Sequence, residues 1–498
     1  MDATTGKMIL SRADFTVIAL YMCGVALLGY VAKRRVKSPD DYFAGGKRVP
    51  WWMAAVSHHV SGYSAVLFVA HTSGAYTWGL PMTLLIFSTP IAMAIGSILW
   101  APRWSRLKVL TPVQYLERRF NNAVRQICAW SGIAIKFVDE GIKLYSLSIM
   151  VSFCTGWDLR LVIVGAGAVA VAYLVLGGLW ATMLTDFMQF FVQYSITIAI
   201  IPFVWAMAGG WDGIWACQPE KYTAFGGYIT PSFLMVWLVV VTLSYNGGTW
   251  GLAQRFYSIG KPRDATKAAL LSGGLSLIYP LIVFIPAWSA QAILGGVANP
   301  EHAYVAVVHK VLSFWPVGFM GLFISAMFAA TMSMIDSDLN ALSAVFTNDI
   351  FKRMFKRDAS ETLVLRVGFA ATIVFGGLTI GCGLLTIRME GAFRAMVEWY
   401  GGILGPVAIP LLFGMLWRRT TWRGALAAWA LGFVTFVAVK YGCASLFEGG
   451  ETPFPVYTGA ELVVCAGVFF LEGWLFKQTP EEQARVEALF EELEGNNA

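Results

Sequence analysis

The feature that most constrains this chain is a series of apolar stretches, each about as long as a helix that crosses a membrane. A helix needs roughly 20 consecutive apolar residues to span the hydrocarbon core of a bilayer. Thirteen such stretches lie near residues 13–32, 50–77, 82–102, 124–153, 160–179, 184–208, 231–252, 269–295, 316–344, 362–387, 391–416, 424–446 and 457–476. Only 13% of the 498 residues are charged, which is about half the share in ordinary soluble domains. The sequence therefore predicts an all-α polytopic membrane protein in the lipid bilayer, and excludes a water-soluble or nucleic-acid-binding chain.

Lysine and arginine fall into groups between alternate stretches, and these groups predict the orientation of the chain. Of the 36 basic residues, 26 lie in six groups, near residues 33–48, 103–125, 255–267, 352–366 and 418–423 and in the tail after residue 476. Short loops rich in lysine and arginine remain in the cytoplasm. With thirteen spans, all six groups share one face when the N-terminus is outside and the C-terminus is cytoplasmic.

Two of the predicted spans contain a polar, glycine-bearing segment near their middle. The second span contains VSGYS at residues 60–64, and the seventh contains YNGGT at residues 245–249. Unwound backbone within a membrane is tolerated only where it lines a cavity or an ion site, since its amide groups otherwise lack partners. The two spans are five apart, as expected of two inverted repeats that each begin with a discontinuous helix. Glycine also permits close helix packing, and that alternative stays open for both segments.

Several motifs resemble those of the sodium/solute symporter family. They are DYFAGG at residues 41–46 followed by Trp51 and Trp52, TPVQYL at 111–116, GGLWA at 177–181, TDFMQ at 185–189, AATMSMIDSDLN at 329–340 and FTNDI at 346–350. The resemblance extends over about residues 13–420. It implies a LeuT-like fold with a 5+5 inverted repeat. It also implies symport of a small polar solute with a cation, Na⁺ or alternatively H⁺, by alternating access across the cell (inner) membrane.

The resemblance also divides the chain into regions. Residues 1–49 form an extra N-terminal helix and a cytoplasmic loop, and residues 50–416 form the inverted-repeat transport core. Residues 417–476 form two further spans, and residues 477–498 form a cytoplasmic tail. The tail reads as a short acidic amphipathic helix, either solvated or in a regulatory contact. We expect the protein to function as a monomer.

In that family one sodium ion is held between the unwound part of the second span and the ninth span. The resemblance places its carbonyl ligands at Val60, Tyr63 and Ala330 and its two hydroxyl ligands at Ser333 and Met334. Methionine has no hydroxyl group, and its thioether sulfur suits a hard cation poorly. The expected site therefore has lower coordination, uses a water in place of the hydroxyl, or is weakened.

An additional cation site of some family members maps onto Asp186, Asp336 and Ser337. Ser333, Asp336 and Ser337 are spaced three and four residues apart and so share one helical face. Two carboxylates at one site cannot readily both be charged without a cation between them. We therefore predict that Asp186 and Asp336 form the ion-coupling centre, and either bind sodium or share a proton. The alternative is that Asp336 lies with Asp338 near the cytoplasmic end of the span and is solvated.

Sugar-transporting members of the family bind hydroxyl groups at three positions that correspond here to Val66, Leu67 and Ile86. Apolar side chains cannot satisfy buried hydroxyl groups, so a sugar bound in that way is disfavoured. A glutamine position of those members corresponds to Glu398, whose carboxylate could meet a cationic or amine-bearing solute.

Four residues near the breaks are further candidates for solute binding. The imidazoles of His58 and His59 could bind solute or take up protons, or they could be structural. Asn246 and Trp250 lie on one face of the seventh span and could line a pocket or a gate, with bundle packing as the alternative.

Four charged residues of the fourth span lie on one helical stripe, at offsets of three, four and seven residues: Lys136, Asp139, Glu140 and Lys143. A charge inside the membrane costs about 2.5–3.5 kcal/mol on insertion scales, so these side chains should pair and face the bundle interior. They are either a self-neutralising structural ladder or residues that contact the substrate or the ion path.

The sequence shows no constellation of nucleophile, metal ligands or cofactor loop that would indicate an enzyme. We therefore expect a secondary active transporter that needs no cofactor beyond its coupling ion. The alternatives of another class are an uncoupled channel and a sensor of the same fold.

Overall fold

Helices make up most of the part of the chain that the computed structural model describes, which is residues 10–33, 45–174, 178–389 and 391–495. Within these ranges β structure is limited to one isolated bridge between Gly226 and Ile229. The predicted all-α class is therefore confirmed. Residues 41–44 and Gly177, which belong to the sequence motifs, lie outside the described residues.

Twenty α-helices follow one another along the described residues. They are α1 (Arg12–Lys33), α2 (Trp51–Val60), α3 (Thr72–Trp78), α4 (Met82–Leu99), α5 (Ala101–Arg106), α6 (Tyr115–Arg119), α7 (Asn122–Thr155), α8 (Leu159–Leu174), α9 (Gly178–Ala208), α10 (Gly210–Ala216), α11 (Pro231–Leu243), α12 (Gly251–Tyr257), α13 (Pro262–Leu294), α14 (Ala303–Leu312), α15 (Phe319–Val345), α16 (Glu361–Thr386), α17 (Ala392–Phe413), α18 (Trp422–Gly442), α19 (Phe454–Leu475) and α20 (Pro480–Glu494).

The predicted break in the second span is present between α2 and α3. Helix α2 ends at Val60, residues 61–64 are not helical, and helical structure resumes at Ala65. The freed backbone finds a partner on another helix, because Thr331 Oγ1 of α15 accepts the hydrogen bond of Ala65 N–H at 3.1 Å. A neighbouring hydroxyl thus satisfies an amide group that the unwound segment leaves without a helical partner.

The predicted break in the seventh span is also present, between α11 and α12. The chain passes from α11 into a π-helical turn at Ser244–Gly248, within which Gly247 has a φ of 121°. Only glycine adopts that conformation without steric cost. Trp250 follows with a φ of 51°, and α12 begins at Gly251. The glycine pair of this span therefore permits a sharp change of backbone direction.

The structure gives a lower number of candidate membrane spans than the sequence predicts. Nine helices of the described residues are long and apolar enough to cross a membrane. The pair Asn122–Thr155 and Leu159–Ala172, which is bent by 119°, would make a tenth if counted as one span. The chain is thus a multi-pass membrane protein, while thirteen spans and the orientation of the two ends remain predictions.

The two broken helices lie inside the bundle. Helix α13 packs against α2 and α4, α9 packs against α15, and α7 packs against α15 and α16. Helices α18 and α19 pack on each other and on α17. Large apolar side chains such as Ile98, Leu161 and Val463 are exposed, as expected of a surface that contacts lipid.

The C-terminal helix α20 packs against α5 and α6. Arg106 donates to the carbonyl of Leu493 at 2.7 Å, and Arg118 pairs with Glu492 at 2.6 Å. The tail is therefore packed on the rest of the chain through one face, while Glu481, Glu487 and Glu491 on the rest of the helix are exposed. Its amphipathic sequence buries one apolar face, made of Val486, Leu489, Phe490 and Leu493.

Candidate functional site

The two breaks contribute to one cavity of about 90 Å³. Both broken helices supply residues that line it: Gly62, Tyr63 and Ser64 from the first break, and Ser244, Tyr245 and Thr249 from the second. Most of the remaining lining is apolar and includes Trp237, Val240 and Met396. The cavity is therefore built where the sequence predicted unwound backbone.

The two breaks also contact each other directly. Tyr245 Oη donates to the carbonyl of Gly62 at 2.8 Å. A Cβ atom at Gly62 would lie 2.8 Å from Cε1 of Tyr245, so this close approach requires glycine. On the other side of the second break, Trp104 Nε1 donates to the carbonyl of Asn246 at 2.9 Å. These bonds hold the unwound backbone in one arrangement.

The predicted sodium site lies where the first break meets α15. Ser61 Oγ lies 3.2 Å from Ser333 Oγ and 3.1 Å from Ser337 Oγ. The residues expected to supply carbonyl ligands are buried at this junction: Val60, Tyr63 and Ala330. The structure therefore brings the end of α2 and the serine face of α15 into contact, and Ser61 adds a hydroxyl group that the sequence reasoning missed.

Met334 stands where the resemblance places the second hydroxyl ligand of the sodium site. It lies one residue after Ser333 on α15 and lines the cavity together with Tyr63. The thioether therefore faces the space available to a solute.

A buried arginine dominates the region beside this junction. Arg255 Nε donates to Ser57 Oγ at 3.0 Å, and Arg255 Nη2 donates to Ser61 Oγ at 2.9 Å and to Asp186 Oδ2 at 3.2 Å. Arg255 Nη2 also donates to Ser337 Oγ. We call these five residues the Arg255 cluster; they join α2, α9, α12 and α15.

The Arg255 cluster corrects two sequence interpretations. Arg255 was grouped with the basic residues of a cytoplasmic loop, yet its side chain is fully buried within the bundle. Asp186 was expected to meet a sodium ion or a shared proton, and here its counter-charge is this guanidinium group. The sequence did contain a signal for this pair. Asp186 is a carboxylate within a predicted span, and Arg255 is an arginine one helical turn beyond the second break.

Asp336 is the carboxylate of this junction that has no hydrogen-bonding partner among the described residues. It lies on α15 between Ser333 and Ser337, it is fully buried, and neither of its oxygens accepts a hydrogen bond from the described residues. The alternative that Asp336 is solvated is therefore wrong. A buried carboxylate in this situation requires a proton or a bound cation.

The four charged residues of α7 form a network with a fifth residue, Asp338 of α15. Lys136 Nζ lies 2.6 Å from both Asp139 Oδ2 and Asp338 Oδ2. Lys143 Nζ lies 2.8 Å from Asp139, 2.5 Å from Glu140 and 2.9 Å from Asp338. Asp338 was expected to be solvated and is instead buried between the two lysines. We call these five residues the lysine–carboxylate network.

Three of the predicted solute-binding residues line the cavity: Val66, Leu67 and Ile86. His58 and His59 are absent from its described lining. His58 Nδ1 lies 2.8 Å from Ser272 Oγ, and His59 Nδ1 lies 3.0 Å from Ser276 Oγ, so both rings face α13 and act as interhelical hydrogen-bonding groups. The solute-facing interpretation of the two histidines is therefore wrong.

Asn246 and Trp250 also pack between helices and are absent from the described cavity lining. Asn246 Nδ2 donates to the carbonyl of Ala92 of α4 at 3.0 Å. The ring of Trp250 packs so closely on α7 that a Cβ atom at Gly132 would lie 2.0 Å from it. The packing alternative is the correct one for both residues.

Glu398 lies in a second pocket, of about 1200 Å³, which we call the vestibule. It pairs there with Lys440 at 3.0 Å and with Arg394 at 3.5 Å. Glu398 therefore does not reach the cavity, because it sits near the start of α17, where sequence spacing cannot show which pocket it faces.

Aromatic rings separate the cavity from the vestibule. Phe393 of α17 lies with its ring centroid 5.1 Å from that of Trp78 and 6.2 Å from those of Tyr228 and His71. His71 lines the cavity, while the other three residues line the vestibule. These side chains therefore lie between the cavity and the vestibule.

The sequence of the chain is similar to those of known sodium-coupled transporters. A model described as the sodium:solute symporter family matches residues 42–432. The chain is 28% identical over 458 residues to a sodium/glucose cotransporter of Vibrio parahaemolyticus, covering 84% of this chain and 83% of that protein. It is 28% identical over 448 residues to a sodium/sialic acid symporter of Aliivibrio fischeri, covering 85% of this chain and 86% of that protein.

Two solved structures share the fold. A Na⁺-coupled sialic acid symporter in a substrate-bound, outward-open state matches with a TM-score of 0.81 at 22% identity, covering 94% of this chain and 98% of that one. A nucleobase-cation-symport-1 family transporter in a closed conformation matches with a TM-score of 0.60 at 14% identity, covering 90% and 98%.

The family model covers most of the chain, and the two breaks meet at a cavity with a hydroxyl-rich junction beside it. The family and the relatives named above are transporters, in agreement with the expected function. The chain belongs to the sodium:solute symporter family and is a membrane transporter that couples a small solute to Na⁺ by alternating access.

Proposed function

We propose that the cavity between the two breaks is the solute site of this symporter. The observation that carries the proposal is that both discontinuous helices line this one cavity. Discontinuous helices of transporters bring half-helix ends and free backbone groups to solutes and ions near the membrane middle. Residues 50–416 would then form the 5+5 repeat that moves around the site, in a monomer of the cell inner membrane.

We place the coupling Na⁺ at the junction of the first break and α15. The hydroxyl groups of Ser61 and Ser333 and the carbonyls of Val60 and Ala330 would supply hard oxygen donors, which suit Na⁺. Ser61 Oγ also accepts from Arg255, and the Val60 carbonyl accepts Tyr63 N–H. Met334 faces the cavity and supplies no oxygen, so we expect a weaker site than one with two adjacent hydroxyl groups on α15.

A second cation belongs at Asp336. The neighbouring carboxylate Asp186 is already matched by Arg255, whereas Asp336 has no partner among the described residues. Either Na⁺ or a proton would neutralise this carboxylate. Proton coupling through Asp336 is therefore the main alternative to Na⁺ coupling. The uncoupled channel and sensor alternatives receive no comparable support.

The test is binding of ²²Na⁺ to the purified protein in detergent. We expect saturable binding that excess unlabelled Na⁺ displaces and K⁺ does not, with at least a tenfold loss of affinity in Ser333→Ala. Ser325→Ala is the matched control, because Ser325 is a buried serine of the same helix whose hydroxyl group donates to the carbonyl of Gly321. Absent saturable binding, or equal losses in the two variants, would contradict the proposed site.

A further inference from the structure

The lysine–carboxylate network has an imbalance of charge. Its two lysines contribute two positive charges, and Asp139, Glu140 and Asp338 contribute three negative charges when ionised. All five residues are buried. One oxygen of Glu140, Oε2, accepts no hydrogen bond from the described residues. The network therefore has one carboxylate more than it has lysines, and its net charge is −1 when all three carboxylates are ionised and zero when Glu140 carries a proton.

The network borders the cavity through two of its members, Asp139 and Lys143. The ammonium group of Lys143 has three N–H donors, and Asp139, Glu140 and Asp338 lie around it at 2.5–2.9 Å. An anionic solute would therefore have to displace a carboxylate to reach Lys143. Asp139 accepts both lysines on one oxygen, Oδ2, so its other oxygen is available to a ligand.

The rest of the cavity lining suits an apolar body next to a positive charge. The rings of Tyr63, Trp237 and Tyr245 line it together with aliphatic side chains. Aromatic faces attract ammonium groups, and the attraction is stronger when the cation is desolvated. Two of the cavity's hydroxyl groups are already engaged, because Ser64 Oγ accepts Val66 N–H and Thr249 Oγ1 donates to the carbonyl of Ser244.

We propose that the solute carries an ammonium group, which binds the Asp139 carboxylate at the edge of the cavity, and a small apolar body, which fills the remainder. The proposal rests on the cavity being the solute site. It assigns to Asp139 the role of counter-charge that the sequence reasoning had offered to Glu398.

The test is a charge series on one carbon skeleton, measured by calorimetric titration of the wild-type protein in Na⁺. The series is 3-methylbutylammonium, 3-methylbutanol and 3-methylbutanoate. A second series of choline, 3,3-dimethylbutanol and 3,3-dimethylbutanoate tests a quaternary ammonium. We expect the cation of at least one series to bind at least tenfold more tightly than its neutral and anionic partners. Similar affinities across both series, as a proton on Glu140 would produce, or a preference for the neutral or anionic members, would overturn the proposal.

Two double variants locate the effect. Asp139→Asn/Lys136→Met keeps the formal charge of the network and removes the carboxylate that borders the cavity, so ammonium affinity should fall at least tenfold. Glu398→Gln/Lys440→Met removes a comparable acid–lysine pair in the vestibule and should change the affinity less than twofold. Unchanged ammonium affinity in the first variant would overturn the assignment to Asp139. If the first variant does not fold, the wild-type series still decides. If no member of either series binds while saturable ²²Na⁺ binding is intact, the ammonium proposal is overturned and the proposed sodium site stands.

Discussion

Replacing Arg255 with methionine should destabilise the protein and make its stability depend more strongly on sodium. The guanidinium group donates to Ser57, Ser61, Asp186 and Ser337 in a fully buried setting. Removing one partner of a buried ion pair costs about 3–5 kcal/mol, because the remaining charge is left uncompensated. In Arg255→Met that charge is the carboxylate of Asp186.

The expected change in melting temperature follows from the length of the chain. An unfolding entropy of about 2.1 cal/mol/K per residue gives roughly 1 kcal/mol/K for 498 residues. The variant should therefore melt about 3–5 °C below the wild type in a fluorescence-monitored thermal unfolding experiment in detergent. Because Na⁺ can replace the lost positive charge, adding Na⁺ should raise the Tm of Arg255→Met more than that of the wild type. A ligand present at 100 times its Kd raises the free energy of unfolding by about 2.7 kcal/mol.

Two controls make this reasoning refutable. Asp186→Asn/Arg255→Met removes both charges and should recover most of the lost stability. Lys267→Met breaks an exposed pair with Asp264 and should change stability by no more than about 1 kcal/mol. The account fails if Arg255→Met melts with the wild type, or if the double variant is as unstable as the single one.

Three further predictions concern the coupling ion and the ion pairs of Glu117. Asp336→Asn should abolish Na⁺-driven uptake in proteoliposomes while expression stays intact; unchanged Na⁺ dependence would show that Asp336 is not a coupling residue. Met334→Ser should add a hard oxygen ligand and lower the Na⁺ concentration for half-maximal binding at least threefold in the ²²Na⁺ assay, and an equal or higher value would count against the site. Burial raises the pKa of Glu117, but its hydrogen bonds and charge pairs with Arg125 and Arg353 outweigh that effect and hold the pKa below its usual value. The ionised form is therefore stabilised in the folded state, so Glu117→Gln should lower Tm at pH 7, and the difference should shrink as the pH falls below about 4; a difference independent of pH would contradict this.

The fold could be predicted well where a short stretch of sequence determines the backbone conformation. The breaks at residues 61–64 and near Gly247 were visible because glycine and polar residues interrupt apolar stretches, and membranes tolerate such interruptions only at sites. The meeting of the first break with the serine face of α15 followed from family motifs, whereas the contribution of Ser61 did not.

Positions that depend on tertiary packing were harder to predict. Arg255 follows the second break by one helical turn, so a rule that assigns basic groups to loops moved it out of the bundle. His58 and His59 flank the first break, yet their rotation about α2 turns them toward serines of α13. Asp338 resembled a residue at a helix end, and only its pairing with lysines of α7 makes its burial possible.

The most direct test of the central claim starts from a solute that raises the Tm of the protein. Its uptake into proteoliposomes is measured with and without an imposed Na⁺ gradient. One Na⁺ that enters down a tenfold gradient and about 100 mV releases roughly 3.7 kcal/mol, enough to accumulate a neutral solute several hundredfold. The account predicts accumulation above the outside concentration that requires the inward Na⁺ gradient and collapses when Na⁺ is equalised. Equilibration of the solute to the outside concentration, whatever the Na⁺ gradient, would contradict it.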